Sequence, residues 1–262
     1  MRTTAVRRTA LAASAAALAL LVTACGGSSD DGATTGDGKA DGDKNAPAAA
    51  KALTAAELEK AVLAQADVKN GKVTEAAAAD NIPQDQVKAE KAECQPLVFA
   101  QTGVAAGEPA ATVKRSWTEG SKKPSGDDVS EEALDKAFDL DKVLVTLASY
   151  GDGGAESVLK DVNAAVSACA GGFSYTAAGV TTKIDKVVTD KAPAGADEAV
   201  AVTMTVVGEG GDKFPVKVAV TRKGSTVASF TVFNLGSAAT GKDFTFPTEI
   251  SDIQLAKLAK LS

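Results

Sequence analysis

The stretch Val200-Ala201-Val202-Thr203-Met204-Thr205-Val206-Val207, followed across Gly208-Glu209-Gly210-Gly211 by Phe214-Pro215-Val216-Lys217-Val218-Ala219-Val220, decides the fold. Val200, Val202, Met204 and Val206 alternate with smaller or polar residues, and Phe214, Val216, Val218 and Val220 do the same. That is the period of a strand, whose side chains point to opposite faces in turn. The glycine run and Lys223-Gly224 are turn signals, so strands at 198–207, 213–221 and 226–235 form an antiparallel meander. Pro215 has no amide to give a ladder and belongs at an edge or at the start of a strand.

Working outward, further strands are predicted at 111–118, 141–150 and 180–189. Val158, Val162, Ala165, Val166 and Cys169 recur at helical spacing, which predicts an amphipathic helix over 155–169. Cys94-Gln95-Pro96-Leu97-Val98-Phe99 starts another helix, with Pro96 in its first turn. Thr54-Ala55-Ala56-Glu57 is a capping box with Leu53 and Leu58 as its hydrophobic staple, opening a helix at 54–66. Ser251-Asp252-Ile253-Gln254 reads as a second box, with Ile250 and Leu255 as the staple. The two boxes bracket a single α+β domain at 51–262, an antiparallel β-sheet packed against several helices. Residues 119–130, through Lys122-Lys123-Pro124-Ser125-Gly126, read as a mobile loop.

Ahead of this domain the chain reads as an export and anchoring device. Arg2, Arg7 and Arg8 form a positive region, Ala10–Val22 an apolar one, and Thr23-Ala24 a small-residue cleavage site, so residues 1–24 are a signal peptide. The apolar run of 13 residues is too short for the roughly 20 that span a bilayer. Leu21-Val22-Thr23-Ala24-Cys25 is a lipobox, in which a small residue precedes a cysteine whose thiol takes a diacylglycerol before cleavage. A diacylglycerol anchors stably where one acyl chain does not. The protein is therefore expected on the outer face of the cell membrane, lipid-anchored through Cys25. No cofactor other than that covalent lipid is expected.

Residues 25–50 comprise the lipidated cysteine and a disordered tether that lacks large apolar side chains. Its reach is about 28 Å. Asp41, Asp43 and Asn45 fit the first ligand positions of a calcium loop. Ala46 and Ala52, however, stand where glycine and glutamate are required, which leaves an acidic spacer.

The formal charge is −6, and loss of the signal with its three arginines leaves −9. Nucleic-acid binding is not expected, because attraction to phosphates needs clustered Lys and Arg. The chain contains no histidine, which removes Ser-His-Asp and Cys-His catalysis and the common zinc sites. Beyond Cys25 there remain Cys94 and Cys169, expected to form one disulfide in an oxidising compartment, with two buried free thiols as the alternative. The bridge would close a loop of about 75 residues and contribute about 4–5 kcal/mol by chain entropy.

Catalytic readings fail on their missing partners. Ser157-Val158-Leu159-Lys160 matches a Ser-x-x-Lys element, but Ser-Asp-Asn and Lys-Thr-Gly are both absent. Gly151-Asp152-Gly153-Gly154 follows a strand as a dinucleotide loop would, with Glu156 where the third glycine belongs. Asp127-Asp128, Glu131-Glu132 and Asp139/Asp141 read as solvated charge runs. Trp117, beside Arg115 on a strand, either lines a pocket or is a partly buried core aromatic; Tyr150 and Tyr175 carry the same two readings. These four residues are the ligand-cleft candidates.

The capped helix at 54–66, then Ala92-Glu93-Cys94-Gln95-Pro96-Leu97, then a strand running into Ala148-Ser149-Tyr150-Gly151-Asp152 and a helix ending in Cys169 carry a resemblance over residues 53–240. The chain resembles the extracellular sensor domain of some bacterial membrane-bound serine/threonine kinases, and free-standing lipoproteins of similar build. The resemblance implies an antiparallel sheet with helices, a cleft for an extracellular ligand and two disulfides, of which this chain can make only Cys94–Cys169. The expectation is a non-enzymatic, monomeric, sensor-like domain that binds an envelope component: a lipid, a glycan fragment or another protein. The competing expectations are a lipid carrier with an enclosed apolar cavity and a protein-binding modulator of a membrane kinase or transporter. Ala228, Phe230 and Val232, on the second face of their strand, hint at the carrier unless helices cover them.

Overall fold

The computed structural model describes residues 51–120, 130 and 137–261. The signal peptide, Cys25, the tether and most of the 119–130 loop lie outside the described residues. Strands β1 (Lys72–Glu75), β2 (Val87–Ala89), β3 (Ala111–Thr118), β4 (Asp141–Ser149), β5 (Phe173–Ala177), β6 (Val180–Thr189), β7 (Glu198–Val207), β8 (Lys213–Lys223) and β9 (Thr226–Asn234) form one sheet. Its order is β1-β3-β4-β9-β8-β7-β6-β5-β2, with every neighbouring pair antiparallel. The helices are α1 (Ala55–Ala61), α2 (Gln95–Thr102), α3 (Gly154–Ala168), α4 (Leu235–Thr240) and α5 (Thr248–Leu258).

Both faces of the sheet are covered. Val200, Val202, Met204 and Val206 of β7 lie opposite Val220, Val218, Val216 and Phe214 of β8, and this face packs against α2 and α3. Val143, Val145 and Leu147 of β4 with Ala228, Phe230 and Val232 of β9 make the other face, against α1 and α5. The central strands are therefore apolar on both sides, the pattern of a doubly covered sheet. Pro215 is the third residue of β8 and lies beyond that strand's last pair with β9, Lys217↔Val232, so its missing amide costs no ladder bond there.

Cys94 and Cys169 form the expected disulfide, Cα–Cα 5.8 Å, joining the start of α2 to the end of α3. Both residues are fully buried.

At the chain's start the Thr54 capping box is formed: Thr54 accepts from the Glu57 amide, and Glu57 Oε2 accepts from the Thr54 amide at 2.7 Å. The helix ends at Ala61, short of residue 66, because Val62 turns extended and a glutamine from the far end of the chain takes the freed groups. Leu63 N–H donates to Gln254 Oε1 at 2.8 Å, and Gln254 Nε2 donates to Ala61 O at 2.9 Å.

This contact also corrects the reading of residues 251–254. The last helix starts at Thr248, with Pro247 in the cap position, and Ser251 lies inside it, its Oγ donating to Thr248 O. Pro247 fixes the backbone one turn earlier than the proposed box, and Gln254 serves α1 instead of its own helix. Ile250 and Leu255 are nonetheless both core residues.

Candidate functional site

A concavity with both apolar and polar lining lies where β9 ends. Asn234 closes that strand and caps α4: its Oδ1 accepts the Ser237 amide at 2.7 Å, and its Nδ2 donates to Asp139 and Asp141 at 2.8 Å each. An amide side chain is needed here, since it accepts from the helix and donates to carboxylates at once. Gly241 ends the helix at φ +69°, and a Cβ there would lie 2.7 Å from Lys213 O, so only glycine fits. Ser237 Oγ donates to Lys242 O, which fixes the turn that follows.

From this turn residues 242–246 run as a strap over the α1/α5 face of the sheet. Lys217 of β8, only 7% exposed, fastens it. Its Nζ lies 2.9 Å from Asp243 Oδ1, 3.7 Å from Asp190 Oδ2 and 5.4 Å from the centre of the Phe244 ring, and donates to Thr203 Oγ1 at 3.0 Å. Thr203 in turn donates to Asp190. Charge pairing and cation–π attraction thus keep a buried ammonium satisfied. The hydrogen bond from Lys217 holds the Asp243 carboxyl below its ordinary value, outweighing partial burial. Farther along, Phe246 meets Phe230 edge-on, ring centres 6.5 Å apart.

Between α4 and this strap lies a cavity of about 310 Å³, lined by Phe138 and Phe244 and by the polar Asn234, Asp139, Lys242 and Asp243. Phe138 is 56% exposed. The arrangement suits a molecule with an apolar body and a polar group. The Ser237 hydroxyl donates to the Lys242 carbonyl, and the Thr240 hydroxyl donates to the Gly236 carbonyl. No cluster of three metal-ligating side chains occurs among the described residues.

The four sequence candidates do not share one surface. Trp117 sits in the α1/α5 core and its Nε1 donates to Asn70 O at 2.9 Å. Arg115, on the same face of β3, pairs with Glu59 at 2.5 Å and lines a groove at the outer edge of that strand. Tyr150 and Tyr175 lie in the opposite core; the Tyr150 hydroxyl donates to Ala106 O at 2.7 Å, and burial pushes its pKa up to about 12. Burial also raises Tyr175.

Phe138, Asn234 and Phe244 were not anticipated from the sequence. The available signal was Asn234 after a strand and Gly241 seven residues on, an N-cap and C-cap pair for one short helix.

Comparison with known proteins finds no matching family model and no matching curated protein. Among solved structures, the extracellular domain of PknH from Mycobacterium tuberculosis is similar at 12% identity and a TM-score of 0.45, over 80% of this chain and 97% of that one.

Proposed function

We propose that this chain is a lipoprotein, anchored by a diacylglycerol on Cys25, whose non-enzymatic, sensor-like domain binds a component of the cell envelope in the Phe138–Phe244 cavity. The cavity itself carries the reading: its size lies within the range of small-ligand sites, and its lining combines apolar and polar side chains. Its position adds support. Lys51, where the described chain begins, accepts from Ser225 at the start of β9, while the cavity lies at the other end of that strand. Nine extended residues separate the two by about 26 Å, so the pocket lies far from Lys51.

An enclosed lipid carrier finds less support. Ala228, Phe230 and Val232 are covered by helices, and the space between α2, α3 and the sheet amounts to about 10 Å³, room for one water.

Native mass spectrometry of the full-length protein in mild detergent, after exposure to an envelope extract, tests the proposal. A discrete added mass is expected for the wild type and should be lost in Phe138→Asp, whose exposed position leaves folding intact. An apo mass throughout removes the reading.

A further inference from the structure

The sheet has two outer strands, and a glutamine side chain caps the free edge of each. Gln65 bridges Gly71 O and Val73 N–H on β1, and Gln95 bridges Val87 O and Ala89 N–H on β2. A stretch of β3 has no glutamine of this kind. β1 pairs with β3 only over Arg115–Thr118, leaving Ala111–Lys114 beyond its end.

The hydrogen-bond phase of β3 shows which groups are presented there. Glu119 N–H donates to Asp141 O, so in the antiparallel ladder the odd-numbered residues of β3 turn their peptide groups toward β4 and the even-numbered ones turn outward. Ser116 and Thr118 meet β1, whereas Thr112 and Lys114 face a groove of about 340 Å³. The Lys114 carbonyl is taken by Arg115 Nη1 at 2.8 Å. The Lys114 ammonium, its pKa lowered by burial, is drawn off to Asp80 O at 2.8 Å and does not block the edge. Glu59 and Glu75 flank the groove; Glu59 is neutralised by Arg115, and Glu75 has no ion pair among the described residues.

We propose that Thr112–Lys114 of β3 is a docking edge for an extended segment of a partner polypeptide, added as a strand, with a basic side chain of that segment on Glu75. Main-chain bonds to the Thr112 peptide group and the Lys114 amide hold the segment, and the exposed carboxylate selects its charge. A second copy of this chain is a poor occupant, because chains of net charge −9 each repel one another. The edge is separate from the Phe138–Phe244 cavity, so either site can fail without the other.

Random twelve-residue peptides displayed on phage, panned on the full-length protein, are the probe. Enriched peptides rich in β-branched residues and carrying Lys or Arg are expected, with binding at least tenfold weaker to Thr112→Pro and to Glu75→Lys. Proline at 112 deletes an outward amide that β4 does not use. In the wild type, the Thr112 and Lys114 amides should become slow to exchange with deuterium when the peptide is added, a readout independent of how the variants fold. Three results would each overturn the proposal: no enrichment over panning on Thr112→Pro, peptide binding that leaves both amides unprotected, or dimers of this chain that Thr112→Pro abolishes.

Discussion

At the scale of single residues, Gln65, Gln95 and Gln254 use their amides in one way. Each donates Nε2 to the carbonyl of one residue and accepts, at Oε1, the N–H two residues on: Gly71 and Val73, Val87 and Ala89, Ala61 and Leu63. A residue in a parallel neighbouring strand would make the same pair of bonds, so each glutamine stands in for one residue of a missing strand. The value of the substitution depends on water. Gln254 is fully buried, and Gln254→Leu strands a donor and an acceptor; a loss of about 2–4 kcal/mol in urea unfolding is expected. Gln65 is exposed, and Gln65→Leu should lose less than about 1 kcal/mol, since water replaces the amide. Equal losses would refute this role for burial.

Tyr150 supplies a pH test at the same scale. Its phenol titrates near 12 in the folded state against 10.0 for the free group, so the folded state holds that proton more tightly. Its contribution is complete below pH 10 and is lost as pH rises from 10 toward 12, on the order of 2 kcal/mol. Tyr150→Phe should flatten that part of the stability curve; an unchanged slope would place the shift elsewhere. The local pattern at 251–254 misled because the partners of Gln254 lie 191 and 193 residues away, where no sequence window reaches.

At the scale of elements, legibility followed length and alternation. The strands at 111–118, 180–189 and 198–207 match the structure at both ends, since each carries eight or more residues of consistent period. β1, β2 and β5, at three to five residues, offer too few turns of the pattern to read, and β1 and β2 hold place by pairing at the sheet's margins. The helix of Cys169 was legible from its apolar stripe, and the bridge to Cys94 followed from compartment and count. That bridge pins α2 to α3 over one face of the sheet. Cys94→Ala and Cys169→Ala should each cost about 2–5 kcal/mol, and the double variant no more than either single one, because one bond is removed in all three. Additive losses in thermal unfolding would mean the two thiols act separately. The cavity at the end of β9 escaped the sequence for another reason: its walls come from segments a hundred residues apart, Phe138 and Phe244, which only the strand order brings together.

At the scale of the whole molecule, charge decides how the proposed lipid anchor is tested. The chain carries a net charge of −6, or −9 once residues 1–24 are removed as proposed, so anionic head groups repel it, and no described helix is long and apolar enough to cross a membrane. On the proposed lipid anchoring, a chain this acidic has no net electrostatic hold on anionic head groups to fall back on once the lipid is lost. Cys25→Ser should therefore move nearly all of the protein from the membrane fraction to the medium, as read by immunoblot of the two fractions. Substantial retention would overturn the lipid-anchor assignment. Because the cavity stands about 26 Å from the point where the tether enters, the released protein should still take up the cavity ligand with its affinity within twofold of the anchored form. A marked loss of affinity on release would mean that the membrane surface forms part of the site, and that the tether sets the ligand's approach as well as the protein's address.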